Sequence, residues 1–326
     1  MILVTGGGGF IGSNVVSELC RQGRSVVVCD RLEVGDKWRN LAKHDVRDVI
    51  APEQLADWLA RQEQLEIIFH LGAISATTAN DADVLFDVNV RLSTLLLDWC
   101  SETGTRFVYA SSAATYGTGT QGFDDSEELG ALERLRPLNA YGWSKHFFDR
   151  RVVRRVSDGH RMPSQWVGLK FFNVYGPNEY HKGPMQSVVA QKYPLVAAGE
   201  PVTLFKSHHP DYPDGGQLRD FVFVDDCVDA MLWFREHPEV NGIFNLGSGK
   251  ARSFADLACA IAAAAGQPSR IEFIPMPEAI RPNYQYFTEA RMDKLRSVGY
   301  ARPFTSLDDG VRQYVERYLS QPDRYR

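Results

Sequence analysis

The sequence contains 326 residues with a formal net charge of −5 and a hydrophobic fraction of 44%, an ordinary composition for a globular protein. No segment combines clustered Lys and Arg with interleaved aromatic residues, and no apolar run approaches the ~20 residues of a membrane-spanning helix, so we expect neither a nucleic-acid nor a membrane partner. The five cysteines form no C-x-x-C pair, which argues against zinc and disulfide frameworks and favours a cytoplasmic location.

Short apolar runs alternate with helical patterns from the first residue onward. The runs are nearly continuous, as expected for strands of a parallel sheet that is covered on both faces. The predicted strands are Ile2–Thr5, Ser25–Cys29, Ile67–Leu71, Arg106–Ala110 and Val167–Phe171. The predicted helices between them are Ile11–Gln22, Gln54–Gln62, Leu92–Thr103 and Ala140–Val156. This alternation predicts an α/β fold with a doubly wound parallel sheet.

Beyond about residue 173 the alternation weakens, and Pro and Gly accumulate over 176–184 and 210–216, a composition typical of binding loops. Ser253 and Asp256 have the spacing of a capping box, which predicts a helix start. The helices predicted in this half are Ser253–Ala265 and Ser306–Leu319. The strands predicted here, and expected to return to the larger N-terminal domain, are Phe221–Val224 and Ile243–Leu246.

A glycine-rich turn, Thr5-Gly6-Gly7-Gly8-Gly9-Phe10-Ile11-Gly12, lies between the first strand and the first helix. A tight turn, close approach of a pyrophosphate and close packing of helix on strand each exclude a side chain, and the helix N-terminus offers free N–H groups to phosphates. The turn therefore predicts a Rossmann domain. The expected domains are a dinucleotide-binding domain of residues 1–172 plus about 217–249, and a smaller C-terminal α/β substrate-binding domain of about 173–216 and 250–326.

The residues that follow the second strand bear on the choice of cofactor. Asp30 is placed to hydrogen-bond a ribose hydroxyl, which favours NAD. Arg31 and Lys37 can pair with a 2′-phosphate, which favours NADP, although both side chains also suit a solvated loop. We expect NADP and leave NAD open.

We assign the chemistry to three polar residues. Ser112 ends a predicted strand, and Tyr141 and Lys145 are four residues apart, on one face of a predicted helix. A phenol has an ordinary pKa near 10, and a neighbouring ammonium together with an oxidised nicotinamide lowers it, so that the tyrosine can act as a base. Ser112 can hold the reacting oxygen in line with the hydride path. The alternative is that Tyr141 is a core aromatic and Lys145 a surface charge.

Several stretches resemble the extended short-chain dehydrogenases, and the resemblance covers essentially the full length. Stretches shared widely by sugar-nucleotide enzymes of this family are Ala110–Gly117, Phe172–Pro177 and Arg219–Val222. The His181–Gly183 triplet and the Tyr284–Thr288 run are more particular to its heptose 6-epimerases. The resemblance implies an isomerase that epimerises an ADP-linked glycero-manno-heptose through a transient keto-sugar, with hydride returned from the opposite face. It also implies a homo-oligomer.

The resemblance further implies the role of each matching residue. Tyr141 and Lys182 would be two acid/base residues, because protons must be handled in both orientations of the sugar. Lys145 and Ser112 complete the expected catalytic set. The expected substrate contacts are Ser112, Asn173, Arg219 and Tyr284. The expected cofactor-binding residues are Gly6, Gly9, Phe10, Ile11, Gly12, Asp30, Arg31, Lys37, Leu71, Ala73, Ser75, Asn89, Tyr141, Lys145 and Val174.

The chain departs from the family pattern in the substrate half, which leaves the sugar open. Pro184 stands where the family has a serine, Gln191 where it has a histidine, and the segment Lys206–Gln217 is longer than expected. We interpret the His208–His209 pair in that segment as solvated and expect no metal.

The residues bear on three alternatives to a heptose epimerase. A 4-epimerase acting on a nucleotide hexose remains open, since it needs no Lys182. A non-catalytic NAD(P)-binding sensor is a further possibility, but Tyr141 and Lys145 are both present. Ala113 and Ala114 replace the Asp-Glu pair of the dehydratases and have no proton to give, which argues against dehydration.

Overall fold

The protein is described by a computed structural model over residues 1–278, 280–281 and 284–326. Its strands are β1 (Ile2–Thr5), β2 (Val26–Cys29), β3 (Asp48–Ile50), β4 (Ile67–His70), β5 (Arg106–Ser112), β6 (Trp166–Phe171), β7 (Asn173–Tyr175), β8 (Val202–Phe205), β9 (Leu218–Phe223), β10 (Gly242–Leu246), β11 (Ala251–Ser253) and β12 (Ile271–Ile274). Its helices are α1 (Phe10–Arg21), α2 (Leu55–Leu59), α3 (Ala82–Phe86), α4 (Leu92–Thr103), α5 (Leu129–Arg134), α6 (Ala140–Ser157), α7 (Val188–Ala197), α8 (Val224–Glu236), α9 (Phe254–Ala264), α10 (Asp293–Ser297) and α11 (Leu307–Tyr314).

Seven strands form one parallel sheet in the order β10–β6–β5–β4–β1–β2–β3. Alternate residues of a strand point to opposite faces: Val4 packs in a core with α1 and α8, whereas Leu3 packs in a second core with α4 and α6. The strand order reverses at β1, where Thr5 is in register with Cys29 of β2 and with His70 of β4. Such a reversal opens a crevice at the carboxyl ends of the strands. The predicted doubly wound Rossmann sheet is confirmed.

Two smaller sheets lie in the C-terminal half, in the orders β11–β9–β7 and β12–β8. A third hydrophobic core joins them to helices α7, α9 and α11, with Val189, Leu257 and Val311 among its buried side chains. This is the smaller α/β part that the sequence predicts. The exact boundary between the two domains stays a prediction.

The five N-terminal strands predicted from apolar runs are all present, and the predicted strand over 243–246 is the edge strand β10 of the main sheet. The capping box is also present, with the Ser253 Oγ accepting from the Asp256 backbone N–H at 2.9 Å and the Asp256 carboxylate accepting in return. Residues 221–223 of the predicted strand over 221–224 lie in β9, which pairs with β7 and β11 in a smaller sheet. Its return to the larger domain stays a prediction. Helix α8 was not predicted: it begins at Val224, inside that apolar run, with two aspartates in its first turn, where the helix dipole favours them.

Within the described part of the chain, no helix has both the length and the apolar character needed to cross a membrane.

Candidate active site

A cleft of about 320 Å³ opens at the carboxyl edge of the main sheet, where the strand order reverses. It is lined by the glycine-rich turn on one wall and by residues of β5 and α6 on another. The predicted site residues that line it are Gly6, Gly9, Phe10, Ile11, Gly12, Asp30, Lys37, Leu71, Ala73, Ser75, Ser112, Tyr141, Lys145, Val174 and Lys182. Most of the expected cofactor and catalytic residues thus meet in one place.

The glycine-rich turn leaves no space for side chains. A Cβ on Gly12 would lie 2.1 Å from the carbonyl oxygen of Gly6, and Gly6 itself has a φ of +68°, a conformation that glycine adopts without strain. Helix α1 begins directly after the turn, at Phe10. The turn therefore presents bare backbone and a helix N-terminus to the cleft, which fits a dinucleotide pyrophosphate.

Asp30 directly follows β2 and lies at one end of the cleft. Its carboxylate accepts hydrogen bonds from the Gly8 N–H at 2.8 Å and from the Lys37 ammonium at 2.9 Å. Arg31 points elsewhere: its guanidinium pairs with Glu53, and its side chain is 63% exposed. Of the two expected cations, Lys37 therefore lines the cleft and Arg31 does not.

The start of helix α6 sets the position of Tyr141 and Lys145. Asn139 caps the helix by accepting a hydrogen bond from the Gly142 N–H at 2.8 Å. The Lys145 ammonium donates to the Ala110 carbonyl of β5 at 2.9 Å, which ties the helix to the strand that bears Ser112. Burial lowers the pKa of Lys145 to about 8. Burial raises the pKa of Tyr141, whereas the nearby Ser112 hydroxyl acts in the opposite direction.

Lys182 reaches the same cleft from another element, the short 3-10 segment Tyr180–Met185. Its ammonium lies 5.2 Å from the centre of the Phe10 ring. Burial lowers the pKa of Lys182, and the nearby Glu179 acts in the opposite direction. Tyr141 and Lys182 thus present two titratable groups from two separate walls.

Besides Arg31, four of the expected residues do not line the cleft. Asn89 is fully buried and holds the loop after β4, since its amide exchanges two hydrogen bonds with the Ile74 backbone at 2.9 and 3.0 Å. Asn173 is exposed at the start of β7. Arg219 and Tyr284 lie together outside the cleft.

Arg219 is a buried cation, 8% exposed, enclosed by aromatic rings. Its guanidinium lies 5.7 Å from the centre of the Phe254 ring and 5.3 Å from that of Tyr284. It donates to the main-chain carbonyls of Leu218 and Gln285. No carboxylate in the described ranges pairs with it, so its positive charge is available to an anionic ligand.

Some lining residues are not among the predicted site residues. They are Gly72, Ala110, Ser111, Phe171, Phe172, His181 and Met185. Of these, His181 belongs to the triplet that carries the family resemblance, and its Nδ1 lies 3.3 Å from the Asn40 amide nitrogen. Its place beside Lys182 was therefore the one signal available for it.

The long segment over 206–217 packs as an aromatic cluster. His209, Tyr212 and Tyr286 are mutual neighbours, with ring centres 5.1 to 5.3 Å apart. Across residues 1–278, 280–281 and 284–326, no group of three or more His, Cys, Asp or Glu side chains is arranged to hold a metal ion.

A family model described as the NAD dependent epimerase/dehydratase family matches residues 2–247. The ADP-L-glycero-D-manno-heptose-6-epimerase of Nitratidesulfovibrio vulgaris is 47% identical over 330 residues, covering 100% of both chains.

Solved structures agree with this match. The crystal structure of the Helicobacter pylori ADP-L-glycero-D-manno-heptose-6-epimerase superposes with a TM-score of 0.78 at 27% identity, covering 97% of this chain and 95% of that one. The Thermus thermophilus UDP-glucose 4-epimerase in complex with NAD has a TM-score of 0.74 at 30% identity, covering 97% of each. This chain is a member of the NAD-dependent epimerase/dehydratase family.

Proposed function

We propose that the protein is an ADP-L-glycero-D-manno-heptose 6-epimerase, which inverts the configuration at carbon 6 of an ADP-linked heptose. The observation that carries this proposal is the presence of Tyr141 and Lys182 on separate walls of one cleft. Inversion through a keto-sugar requires proton transfer on both faces of the sugar, and two bases supply it. The heptose epimerase of N. vulgaris, which this chain matches over its whole length, supports the same assignment.

The cleft suits a nicotinamide dinucleotide, for which we propose NADP, with NAD as the alternative. The glycine-rich turn would hold the pyrophosphate, and Asp30 with Lys37 would contact the adenosine ribose. Lys37 offsets the charge of Asp30 at 2.9 Å and so favours a 2′-phosphate. When bound, the cofactor supplies a hydride acceptor and donor.

The protein's own residues then handle the protons. Ser112 holds the reacting oxygen, and one of the pair Tyr141 and Lys182 removes the proton from the carbon 6 hydroxyl. Lys145 stabilises the phenolate form of Tyr141. After the keto-sugar has presented its other face, the second residue of the pair returns a proton to its oxygen. Neither step needs an external oxidant, because the hydride leaves and returns within one turnover.

Arg219 is proposed to bind the diphosphate of the substrate, with Asn173 and Tyr284 as further contacts. A planar guanidinium suits two phosphate oxygens, and the aromatic rings around it exclude water. Binding there would place the sugar toward the cleft and leave the nucleotide at the smaller sheets.

A homo-oligomer and a cytoplasmic location are part of the proposal. Trp143 and Phe147 of α6 are 41% and 36% exposed and pack with Phe86, an apolar face typical of a protein–protein contact. All five cysteines carry free thiols, which suits a reducing compartment. Sedimentation of the purified protein as a monomer would contradict the oligomer.

The function is tested by incubating purified protein, with its copurified cofactor, with the D,D and L,D epimers of ADP-glycero-manno-heptose and with UDP-glucose. We expect the two heptose epimers to interconvert without added oxidant, and NMR spectroscopy measures the interconversion. Interconversion of UDP-glucose and UDP-galactose instead would establish the 4-epimerase. Cofactor binding without turnover of either pair would indicate the sensor.

A further inference from the structure

A fully buried ion pair lies beneath the candidate catalytic residues. Asp149 and Lys170 are both 0% exposed, and the Lys170 ammonium donates to the Asp149 carboxylate at 2.7 Å. Asp149 belongs to α6, four residues after Lys145, whereas Lys170 belongs to β6. The pair therefore joins the helix that carries Tyr141 to the centre of the main sheet.

Asp149 also holds the strand that ends in Ser112. Its carboxylate accepts hydrogen bonds from the Ser111 hydroxyl at 2.7 Å and from the Tyr109 hydroxyl at 3.1 Å. Ser111 is the direct neighbour of Ser112 on β5. The Asp149 carboxylate thus holds β5, which ends in Ser112, against α6, which carries Tyr141.

Within the part of the chain that the structure describes, Asp149 is the only carboxylate that pairs with Lys170. Besides Asp149, its ammonium donates to the Thr115 hydroxyl at 2.7 Å and lies 4.9 Å from the centre of the Tyr116 ring. A buried ion pair of this kind is weak evidence for a stabilising role, because desolvation offsets the attraction of the charges. Because the pair lies beside the catalytic groups, its position indicates a role in the chemistry.

The charge of Asp149 matters because Tyr141, Lys145 and Asp149 follow each other at intervals of four on one helix face. An uncompensated negative charge there opposes loss of a proton from Tyr141 and from Lys145, and Asp149 raises the pKa of both. The positive charge of Lys170 counteracts this.

We propose, on the basis of the function proposed above, that Lys170 is a positioning residue. It neutralises Asp149, so that this carboxylate can hold β5, which ends in Ser112, against α6 without imposing a negative charge on Tyr141 and Lys145. Lys170 contacts neither substrate nor cofactor in this role. It acts only through Asp149.

Four other titratable groups near the Asp149–Lys170 pair are uncharged near neutral pH. Burial lowers the pKa of His70 to about 3 and that of His146 to about 4, and burial raises the pKa values of Tyr109 and Tyr116. Apart from Asp149, Lys170 and Lys145, the charges that act on these four groups are Asp124, Asp125, Glu127, Arg136 and Arg150. Asp149 and Lys170 are therefore the charges to change.

The test compares Lys170→Met, Asp149→Asn and the double variant. The readout is the tyrosinate absorbance of Tyr141, obtained as the difference between each protein and its Tyr141→Phe counterpart as the pH is raised. Lys170→Met should raise the apparent pKa of Tyr141 and Asp149→Asn should lower it, each by about one pH unit, as expected for a unit charge about 12 Å away in a medium of effective dielectric about 20. The double variant should return close to the parent value.

The pH dependence of epimerisation should shift in the same directions. Equal midpoints in all four proteins, or shifts of one sign in both single variants, would overturn the proposal, since a purely structural pair changes the rate at every pH alike. If Lys170→Met fails to fold, the comparison of Asp149→Asn with the double variant decides, because removal of Lys170 should raise the apparent pKa of Tyr141 there too, and equal midpoints in these two proteins would overturn the proposal. Absence of epimerisation in the parent protein would count against the proposed function, while the absorbance titration would still judge Lys170.

Discussion

The Lys182 ammonium lies 5.2 Å from the centre of the ring of Phe10, the first residue of helix α1. The second candidate base is therefore held against the cofactor-binding helix, whereas Tyr141 stands on α6. A cation over an aromatic face is attracted to it, so the ring can hold Lys182 in place while burial lowers its pKa.

If the two bases act on opposite faces of the sugar, neither can replace the other. Tyr141→Phe and Lys182→Met should each lower the rate of heptose epimerisation by about 10²- to 10⁴-fold, the usual contribution of a general acid or base. The rate is measured by NMR, and retained cofactor is checked by native mass spectrometry.

Lys192→Met is the matched control, because Lys192 lies on α7 and donates to the Thr203 hydroxyl at 2.9 Å, away from the cleft. Its rate should stay within about twofold of the parent rate. Full activity of the Tyr141→Phe, Lys182→Met double variant would disprove the two-base assignment.

The choice between NADP and NAD should depend on Lys37 and not on Arg31. Lys37→Gln removes the cation that lines the cleft beside Asp30, and we expect the ratio of NADP to NAD affinity to fall by about tenfold or more, since a charge-assisted hydrogen bond contributes about 1.5–3 kcal/mol. Calorimetric titration of cofactor-free protein measures both affinities.

Arg31→Gln serves as the comparison, because its guanidinium pairs with Glu53 at the surface. A larger change in preference for Arg31→Gln than for Lys37→Gln would show that the arginine swings into the site on binding, contrary to this prediction.

The sequence predicts those parts of the site that depend on local geometry. The glycine-rich turn and the Tyr141–Lys145 spacing each lie within one turn or one helix, so local periodicity is enough to place them. The direction of the Arg31 side chain could not be predicted in this way, because it depends on the ion pair with Glu53, a residue of another turn. The Asp149–Lys170 pair likewise joins a helix to a strand, and only tertiary packing brings such residues together.

The same reasoning explains why helix α8 was not predicted at the end of the run 221–224. A short apolar run has no periodicity that separates a buried strand from the start of a buried helix. Here the chain changes from β9 to α8 within the run, and pairing with β7 and β11 decides where the strand lies.

The close contact at Gly12 predicts a loss of both stability and cofactor binding in Gly12→Ala. The added Cβ would lie 2.1 Å from the Gly6 carbonyl oxygen, and overpacking of this kind costs about 1–3 kcal/mol. Urea denaturation gives the free energy of unfolding. Gly130→Ala in α5 is the control, since its new Cβ meets only the Arg134 side chain, at 3.9 Å; it should stabilise the protein by up to about 1 kcal/mol.

His70 predicts acid sensitivity of the fold. It is buried between the Thr5 and Ser93 hydroxyls, each 2.7 Å from a ring nitrogen, and burial lowers its pKa from 6.5 to about 3. Between these values the unfolded chain binds a proton that the native protein does not. The contribution of His70 to stability is therefore complete above pH 6.5 and decreases by up to about 1.4 kcal/mol per pH unit as the pH falls toward 3.

Denaturation at several pH values between 4.5 and 7 measures this slope. His70→Asn should show a smaller decrease toward acid than the parent protein, whereas His160→Asn, at an exposed position, should leave the slope unchanged. An unchanged slope in His70→Asn would contradict the assignment.

Arg219 and Arg252 face each other in register across β9 and β11, but among the described residues only Arg252 has a counter-charge. Arg252 pairs with Asp256 and Asp308, both at 3.1 Å, while Arg219 is buried between aromatic rings.

If Arg219 binds the substrate diphosphate, Arg219→Lys loses the planar two-point contact although it keeps the charge. We expect ADP to bind about 10-fold or more weakly, and KM for the nucleotide sugar to rise with little change in kcat, because the diphosphate does not take part in the chemistry. Arg252→Lys is the matched control and should bind ADP like the parent protein. Equal weakening in both variants would mean that the strand pair, and not the guanidinium of Arg219, determines nucleotide affinity.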